Sequence, residues 1–306
     1  MPGDSKIYLL TFCSLGDPHD KGKDLSSNIA KIKSLLSGYF TDIIIYTPEK
    51  IKDCLGSDSF CNPHDGEFPL NPGLNHLGCG DFKSFIIDKT LSEIEEGAIL
   101  LYHDCNFSKY PQYWQTDWPN LIETCNFFLD VNKSDFFAPF ESLLSGTATM
   151  VKNHGKRITT DAIIKDQTES DIVSECYEIA SSRIIIRNTN RSREFFSEYK
   201  ELCLDKDLLT KFPNPNPYPD FTHSCPEQHV LNCLIYSHIL QGKLDQHFPR
   251  IRFYNRKFRI DDNLKLCRNE KLSKYIDEKV IKQQTVRLYG KDIRGSKEFG
   301  ENVFST

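Results

Sequence analysis

Residues 98 to 106 read Ala98-Ile99-Leu100-Leu101-Tyr102-His103-Asp104-Cys105-Asn106. The apolar run from Ile99 to Tyr102 is typical of a fully buried parallel strand, and it leads into an acidic residue that such a strand would not keep without a purpose. In open α/β sheets, ligands bind in the crevice beyond the carboxyl ends of such strands. We therefore expect Asp104 and Asn106 to face that crevice, where they would hold a metal ion or a phosphate.

The segments before this strand predict the rest of the fold. Apolar runs at 6–12 and 42–46 predict strands, and apolar residues at helical spacing predict a helix between them. A Gly/Pro/Asn-rich stretch at 56–80 is interpreted as a long loop, and 82–94 as a helix. The resulting order, β-α-β-loop-α-β, predicts an α/β fold with a mainly parallel sheet flanked by helices.

The second half predicts a mixed C-terminal part. A strand is expected at 183–186, and helices at 192–203 and 227–240, with a Pro/Asn-rich loop at 212–222. No internal repeat or linker divides the chain, so 1–264 is interpreted as a single domain. The charged residues 265–306 are interpreted as an extension and tail.

The composition bounds the class of protein. The chain has 306 residues, of which 39% are hydrophobic and 26% charged, with a net charge of -5, as in ordinary soluble proteins rather than nucleic-acid-binding ones. No apolar run reaches the roughly 18 residues of a membrane span, and the start does not have the pattern of a signal peptide. Eleven cysteines without a C-x-x-C pair indicate reduced thiols. We therefore expect a cytoplasmic protein with no membrane span and no nucleic-acid partner.

Asp104 has three interpretations from its local sequence. Asp104-Cys105-Asn106 is a variant of the D-x-D element, whose oxygens suit Mn²⁺ or Mg²⁺ bound to a diphosphate. Asp104 could instead cap a turn after the strand. The adjacent His103-Asp104 pair would also suit a metal phosphohydrolase, but its position directly after a strand argues against this.

Three further segments contain candidate residues. Lys83 lies at the start of a predicted helix, which suits a phosphate, although a solvated lysine there would be ordinary. Arg157 could bind a phosphate and Asp161 sugar hydroxyls, unless Thr159 or Thr160 simply caps a helix there. Glu227 and Gln228 follow Pro226 at a helix start, where they could cap the helix or point at a sugar.

Taken in this order, the segments resemble a group of nucleotide-sugar glycosyltransferases with a GT-A fold, found in bacterial and viral polysaccharide gene sets. That group has a G-x-G-Y-W-x-W-K-P segment, matched by Gly78 to Ser84, and a G-D-x-x-x-Y-x-D-x-G strand end, matched by Gly97 to Asn106. A T-K-R-D-like segment is matched loosely by Thr159 to Ala162, and an H-x-H-D-Q-S helix start by His223 to Gln228. The resemblance covers residues 6 to about 262.

The resemblance implies transfer of a sugar from a nucleoside diphosphate sugar, such as a UDP-sugar, to a hydroxyl of a glycan or glycoconjugate. It implies Thr11, Phe12 and Ser14 at the base and ribose, and Lys83, Arg157 and Gln228 at the rest of the donor. Asp104 and Asn106, with His223 or His247, would hold Mn²⁺ or Mg²⁺, and Asp161 and Glu227 would lie near the sugar. Whether the anomeric configuration is inverted or retained stays open.

Two other classes of function stay open. The chain could be a nucleotide-sugar or glycan-binding protein of the same fold that has lost turnover. It could also be a metal-dependent phosphohydrolase, which would release phosphate from simple esters without a nucleotide.

Overall fold

The structure is a computed structural model of the chain. It describes residues 6–13, 25–55, 82–104, 125–126, 129–130, 134–138, 150–209, 218, 226–244, 251–254, 257–260, 287–288 and 291–292. In these ranges the strands are β1 (Ile7–Phe12), β2 (Asp42–Tyr46), β3 (Ile99–His103), β4 (Phe136–Phe137), β5 (Arg183–Arg187), β6 (Ile251–Tyr254), β7 (Lys257–Ile260), β8 (Arg287–Leu288) and β9 (Lys291–Asp292). The helices in the same ranges are α1 (Leu25–Leu36), α2 (Pro48–Leu55), α3 (Phe82–Glu93), α4 (Val151–His154), α5 (Arg157–Ile164), α6 (Gln167–Ser174), α7 (Asn190–Leu204), α8 (Lys206–Leu209) and α9 (Pro226–Leu240).

Strands β1 to β5 form one sheet in the order β2-β1-β3-β5-β4. β1 is parallel to β2 and β3, whereas β5 is antiparallel to both β3 and β4. The prediction of an α/β fold with a helix-flanked sheet is confirmed, but the sheet is mixed rather than mainly parallel in its pairings. The Asp104 amide donates to the Ser182 carbonyl at 2.9 Å, so the chain enters β5 where β3 ends and runs back along it.

The core lies on β3 and on two helices that pack near it. All five residues of β3 are buried, as expected for a central strand with a continuous apolar sequence. Helix α7 turns Phe195, Phe196 and Tyr199 inward, and it packs against α3 and α9. Fourteen of the fifteen residues of α9 are buried, including polar ones in its first two turns. These polar residues need hydrogen-bond partners inside the protein, because an unsatisfied buried polar group is costly.

Most predicted elements before residue 245 occur where the sequence placed them. The helices at α3, α7 and α9 and the strands at β1, β2, β3 and β5 match their predictions within a few residues. Pro48 begins helix α2 rather than merely ending a strand, because proline is well suited to the first helical position. Helices α2, α4, α6 and α8 and the two-residue strand β4 were not predicted. The predicted loops at 56–80 and 212–222 lie outside the described residues, apart from Tyr218.

Beyond α9, the described residues form two antiparallel pairs, β6 with β7 and β8 with β9. After residue 264 the structure describes only β8 and β9, so the division between a domain at 1–264 and an extension at 265–306 stays a prediction. In the part of the chain that is described, no helix combines the length and apolar character needed to cross a membrane.

Candidate functional site

Asp104 follows directly on β3, at the carboxyl end of the buried strand. The Tyr102 hydroxyl donates to Oδ1 of Asp104, and the Asp104 amide is bound to Ser182. These contacts fix the carboxylate on one side only: 38% of its side chain is exposed, and no contact from the described residues engages Oδ2. Asp104 therefore lies partly exposed at the edge of the sheet where α/β proteins bind ligands.

Lys83 lies in the first turn of α3 and is turned inward rather than solvated. Only 6% of its side chain is exposed, and its ammonium donates to Glu227 Oε1 at 2.5 Å and to Ser181 Oγ at 2.9 Å. The same nitrogen lies 3.6 Å from Asp104 Oδ1 and 5.5 Å from the centre of the Tyr102 ring. Lys83 is thus a buried cation between two carboxylates, which excludes the interpretation as an ordinary surface lysine.

Glu227 lies in the first turn of α9, and protein donors occupy both of its carboxylate oxygens. Oε1 accepts from Lys83 and also from the Ser181 hydroxyl at 2.7 Å, while Oε2 accepts from the backbone amide of Gln228 at 2.7 Å. The Tyr199 hydroxyl donates to the Glu227 carbonyl at 3.1 Å. A carboxylate held by three donors is a rigid part of the protein, and little of it is available to a ligand.

The cluster of Lys83, Tyr102, Asp104, Ser181 and Glu227, here called the lysine cluster, combines one cation with two carboxylates. Burial alone lowers the pKa of Lys83, but Asp104 and Glu227 outweigh burial and raise it, so the ammonium stays charged. Burial and the neighbouring carboxylate raise the pKa of Tyr102, so its hydroxyl remains a donor. Burial also raises the pKa of Asp104, although Lys83 and Tyr102 oppose this.

Ser181 and Tyr102 are the members of the lysine cluster that were not predicted from the sequence as site residues. Ser181 lies before β5 in the segment Ile179–Ser182, and it is 1% exposed. Its hydroxyl contacts Lys83 and Glu227, and its amide donates to Gln228 Oε1 at 3.1 Å. No local sequence feature distinguishes this serine, because its importance comes from residues 46 and 98 positions away.

Gln228 and the end of β1 border the lysine cluster. Gln228 Oε1 accepts from the Ser181 backbone amide and lies 3.1 Å from the Ser181 hydroxyl, so this side chain is engaged within the protein. Thr11 is buried, and within the described residues its hydroxyl oxygen has no hydrogen-bond partner. Phe12 packs on Phe82, with ring centroids 4.1 Å apart, which brings the end of β1 beside the start of α3.

Arg157 and Asp161 belong to a separate cluster. Arg157 contacts Asp171 at 2.9 Å and Asp161 at 3.8 Å, and its guanidinium lies 6.0 Å from the centre of the Tyr218 ring. Two residues after Glu227 on α9, His229 Nε2 lies 3.2 Å from Thr160 Oγ1 and 3.1 Å from the Lys156 carbonyl. In the part of the chain that is described, no contact joins Arg157 or Asp161 to the lysine cluster.

The helix interpretation of 156–161 is correct, but its capping is not by threonine. Helix α5 begins at Arg157, and its N-cap residue is Lys156, without a side-chain cap hydrogen bond. Thr159 and Thr160 lie inside the helix, where both hydroxyls donate to backbone carbonyls.

Four predicted site residues, Ser14, Asn106, His223 and His247, lie outside the described residues. Among the residues that are described, no group of three or more His, Cys, Asp or Glu side chains could hold a metal ion. Mg²⁺ often keeps several water and substrate ligands and binds through one or two carboxylates. Asp104 is the candidate carboxylate for such a site among the described residues, and the other candidate ligands stay predictions.

A cavity of about 360 Å³ lies away from the lysine cluster. Phe136, Phe195, Glu198 and His238 are among its lining residues, and His238 Nε2 lies 2.9 Å from Glu198 Oε2. This cavity is at the start of β4 and the end of α9, whereas Asp104 and Glu227 lie at the end of β3 and the start of α9. It therefore lies at the opposite edge of the sheet.

Comparisons with known proteins gave no match, either to protein-family models, to curated proteins or to solved structures. The functional argument for this chain therefore depends on its own residues and their geometry.

Proposed function

We propose that this chain is a divalent-metal-assisted glycosyltransferase with a GT-A-like fold. It would move a sugar from a nucleoside diphosphate sugar to a hydroxyl of a glycan or glycoconjugate. The observation that carries the proposal is the state of Asp104: a carboxylate at the carboxyl end of a buried strand, held at Oδ1 by Tyr102 and Lys83, with 38% of its side chain exposed.

The residues that meet around Asp104 support the proposal. The resemblance implied Lys83 from one segment and Glu227 and Gln228 from another, and the Lys83 ammonium lies 2.5 Å from Glu227 Oε1 and 3.6 Å from Asp104 Oδ1. Gln228 joins them through Ser181. Segments that are 144 residues apart in the chain, at Lys83 and Glu227, thus converge on one carboxylate.

The contacts divide the proposed roles among these side chains. Asp104 would face the donor diphosphate and hold the cation through Oδ2. A bound Mn²⁺ or Mg²⁺ would neutralise charge that develops on the leaving diphosphate. Lys83, Glu227 and Tyr102 would keep the Asp104 carboxylate in place and in a low-dielectric setting, where fixed charges act more strongly than in water.

In this proposal Glu227 and Lys83 therefore position the Asp104 carboxylate and do not contact the sugar or the diphosphate. The assignments of Arg157 and Asp161 to the donor and the sugar stay predictions from the resemblance, as do those of Thr11, Phe12 and Gln228.

The test is nucleotide release from a panel of UDP- and GDP-sugars with Mn²⁺, using the wild type and Asp104→Asn. We expect Asp104→Asn to lower the rate by at least about 100-fold, the size typical of losing a fixed electrostatic group at a reacting centre. Asp135→Asn is the matched control, because Asp135 is also partly exposed but lines the distant cavity.

Each alternative function has its own result in this experiment. Binding of a nucleotide sugar without any release would favour a binding protein that has lost turnover. Phosphate release from simple esters without a nucleotide would favour a phosphohydrolase. Nucleotide release that is equal in the wild type and Asp104→Asn would overturn the proposed role of Asp104.

A further inference from the structure

The cavity away from the lysine cluster has walls from three elements. Helix α7 contributes Arg191, Glu194, Phe195 and Glu198, whose spacing of three, four and seven residues places them on one face of the helix. The other walls are the start of β4 and the end of α9 with the residues that follow it. At about 360 Å³ the cavity is at the lower end of small-molecule pockets, which hold about 300 to 1,000 Å³, so it suits a ligand of amino-acid size.

The apolar lining residues of this cavity form a preformed surface. Phe136, Phe195 and Leu244 line it, and the rings of Phe136 and Phe195 lie 4.4 Å apart between their centroids. The His238 ring stands edge-on to Phe195, with centroids 5.2 Å apart. Because these rings hold one another in place, the surface is ready to cover an apolar group of a ligand.

Most charged groups that line the cavity are already paired within the protein. Asp135 Oδ2 accepts from the Thr189 hydroxyl at 3.0 Å and lies 3.8 Å from Arg191 Nε. Glu198 Oε2 lies 2.9 Å from His238 Nε2. These contacts give each of the two carboxylates a fixed partner on another part of the fold.

Glu194 and Lys243 differ from the other charged lining residues. Both are exposed, and within the ranges that the structure describes neither side chain has an ion-pair or hydrogen-bond partner. They lie on different walls, Glu194 on α7 and Lys243 just after α9, and they do not pair with each other. The cavity therefore combines one available carboxylate, one available ammonium and an apolar surface.

We propose that this cavity binds a free amino acid with an apolar side chain. The ligand ammonium pairs with Glu194, the ligand carboxylate pairs with Lys243, and the apolar side chain packs on Phe136 and Phe195. A ligand that carries only one of the two charges leaves a protein charge without a partner and binds less well. The site is at the opposite edge of the sheet from the lysine cluster, so its test does not depend on the proposed transferase activity.

The experiment is isothermal titration calorimetry of the full chain with three ligands that share a phenyl group. L-phenylalanine carries both charges, phenethylamine lacks the carboxylate, and hydrocinnamate lacks the ammonium. We expect L-phenylalanine to bind, and each of the other two to bind at least about 5-fold more weakly, the size expected for losing one charged contact at a partly exposed site.

Variants assign each charge of the ligand to one side chain. Glu194→Gln should abolish the preference for L-phenylalanine over hydrocinnamate, and Lys243→Met should abolish the preference over phenethylamine. Both positions are exposed, so we expect both variants to fold as the wild type does. Glu201→Gln is the matched control, because Glu201 is exposed on the same helix but does not line the cavity.

Three results would overturn the inference. The first is that millimolar L-phenylalanine gives no saturable binding. The second is that the three ligands bind equally well, which would show that the cavity recognises the phenyl group alone. The third is that Glu194→Gln and Lys243→Met keep the wild-type preferences, as Glu201→Gln should.

Discussion

The buried pair of Lys83 and Glu227 should be strongly coupled in stability. The perturbation is a double-mutant cycle made of Lys83→Met, Glu227→Met and the variant with both changes. Methionine keeps most of the aliphatic volume of each side chain and removes the charge. Because both side chains are about 10% exposed or less, each single variant leaves a buried charge without its main partner.

The structure gives the size of this effect. Two unit charges separated by 2.5 Å attract by about 6 to 7 kcal/mol at an effective dielectric constant of about 20, before the cost of desolvation is subtracted. Removing one partner of a buried pair costs about 3 to 5 kcal/mol. We expect about 3 kcal/mol for each single change, because Asp104 remains near Lys83 and Ser181 near Glu227.

The double variant has neither charge, so it should be less destabilised than the sum of the single variants by about 2 to 3 kcal/mol. Urea denaturation of the four proteins measures this coupling free energy. The control cycle uses Lys89 and Glu93, an exposed pair at 2.7 Å on the same helix, for which we expect at most about 0.5 kcal/mol. Equal coupling in the two cycles would refute the reasoning that burial makes the Lys83 pair strong.

Two further predictions concern other parts of the fold. Gly155→Ala should destabilise the protein by about 1 to 3 kcal/mol, because the added Cβ would lie 2.0 Å from the buried His229 ring. Gly38→Ala is the control, because a Cβ added at Gly38 has no atom within 4 Å, and this variant should be nearly neutral in thermal melts. Burial lowers the pKa of His238 below its ordinary 6.5 despite Glu198, so the unfolded chain binds the proton more readily. The stability contribution of His238 should therefore be complete above about pH 6.5 and be lost as the pH falls through its folded pKa. In urea titrations between about pH 5 and 7, His238→Gln should reduce this loss of stability. An unchanged pH dependence in the variant would contradict the prediction.

Local sequence was sufficient to predict most of the helices and strands before residue 245 and to select candidate residues. The continuous apolar run of β3 and the helical spacing in α3 and α7 are local properties, so they identify strands and helices without knowledge of the partners. The acidic residue after β3 and the lysine at the start of α3 were recognisable as candidates for the same reason. Their type and their place at the end of an element already limit their chemistry.

Tertiary structure alone decided how these parts are arranged. The antiparallel direction of β5 depends on the contact between Asp104 and Ser182, and sequence spacing does not show which end of β3 the chain meets. The inward turn of Lys83 depends on Glu227, 144 residues later, and on Ser181, which has no local distinguishing feature. A charge can be buried only where partners from distant segments satisfy it, so the sequence by itself determines the candidates and the packed fold determines which of them meet.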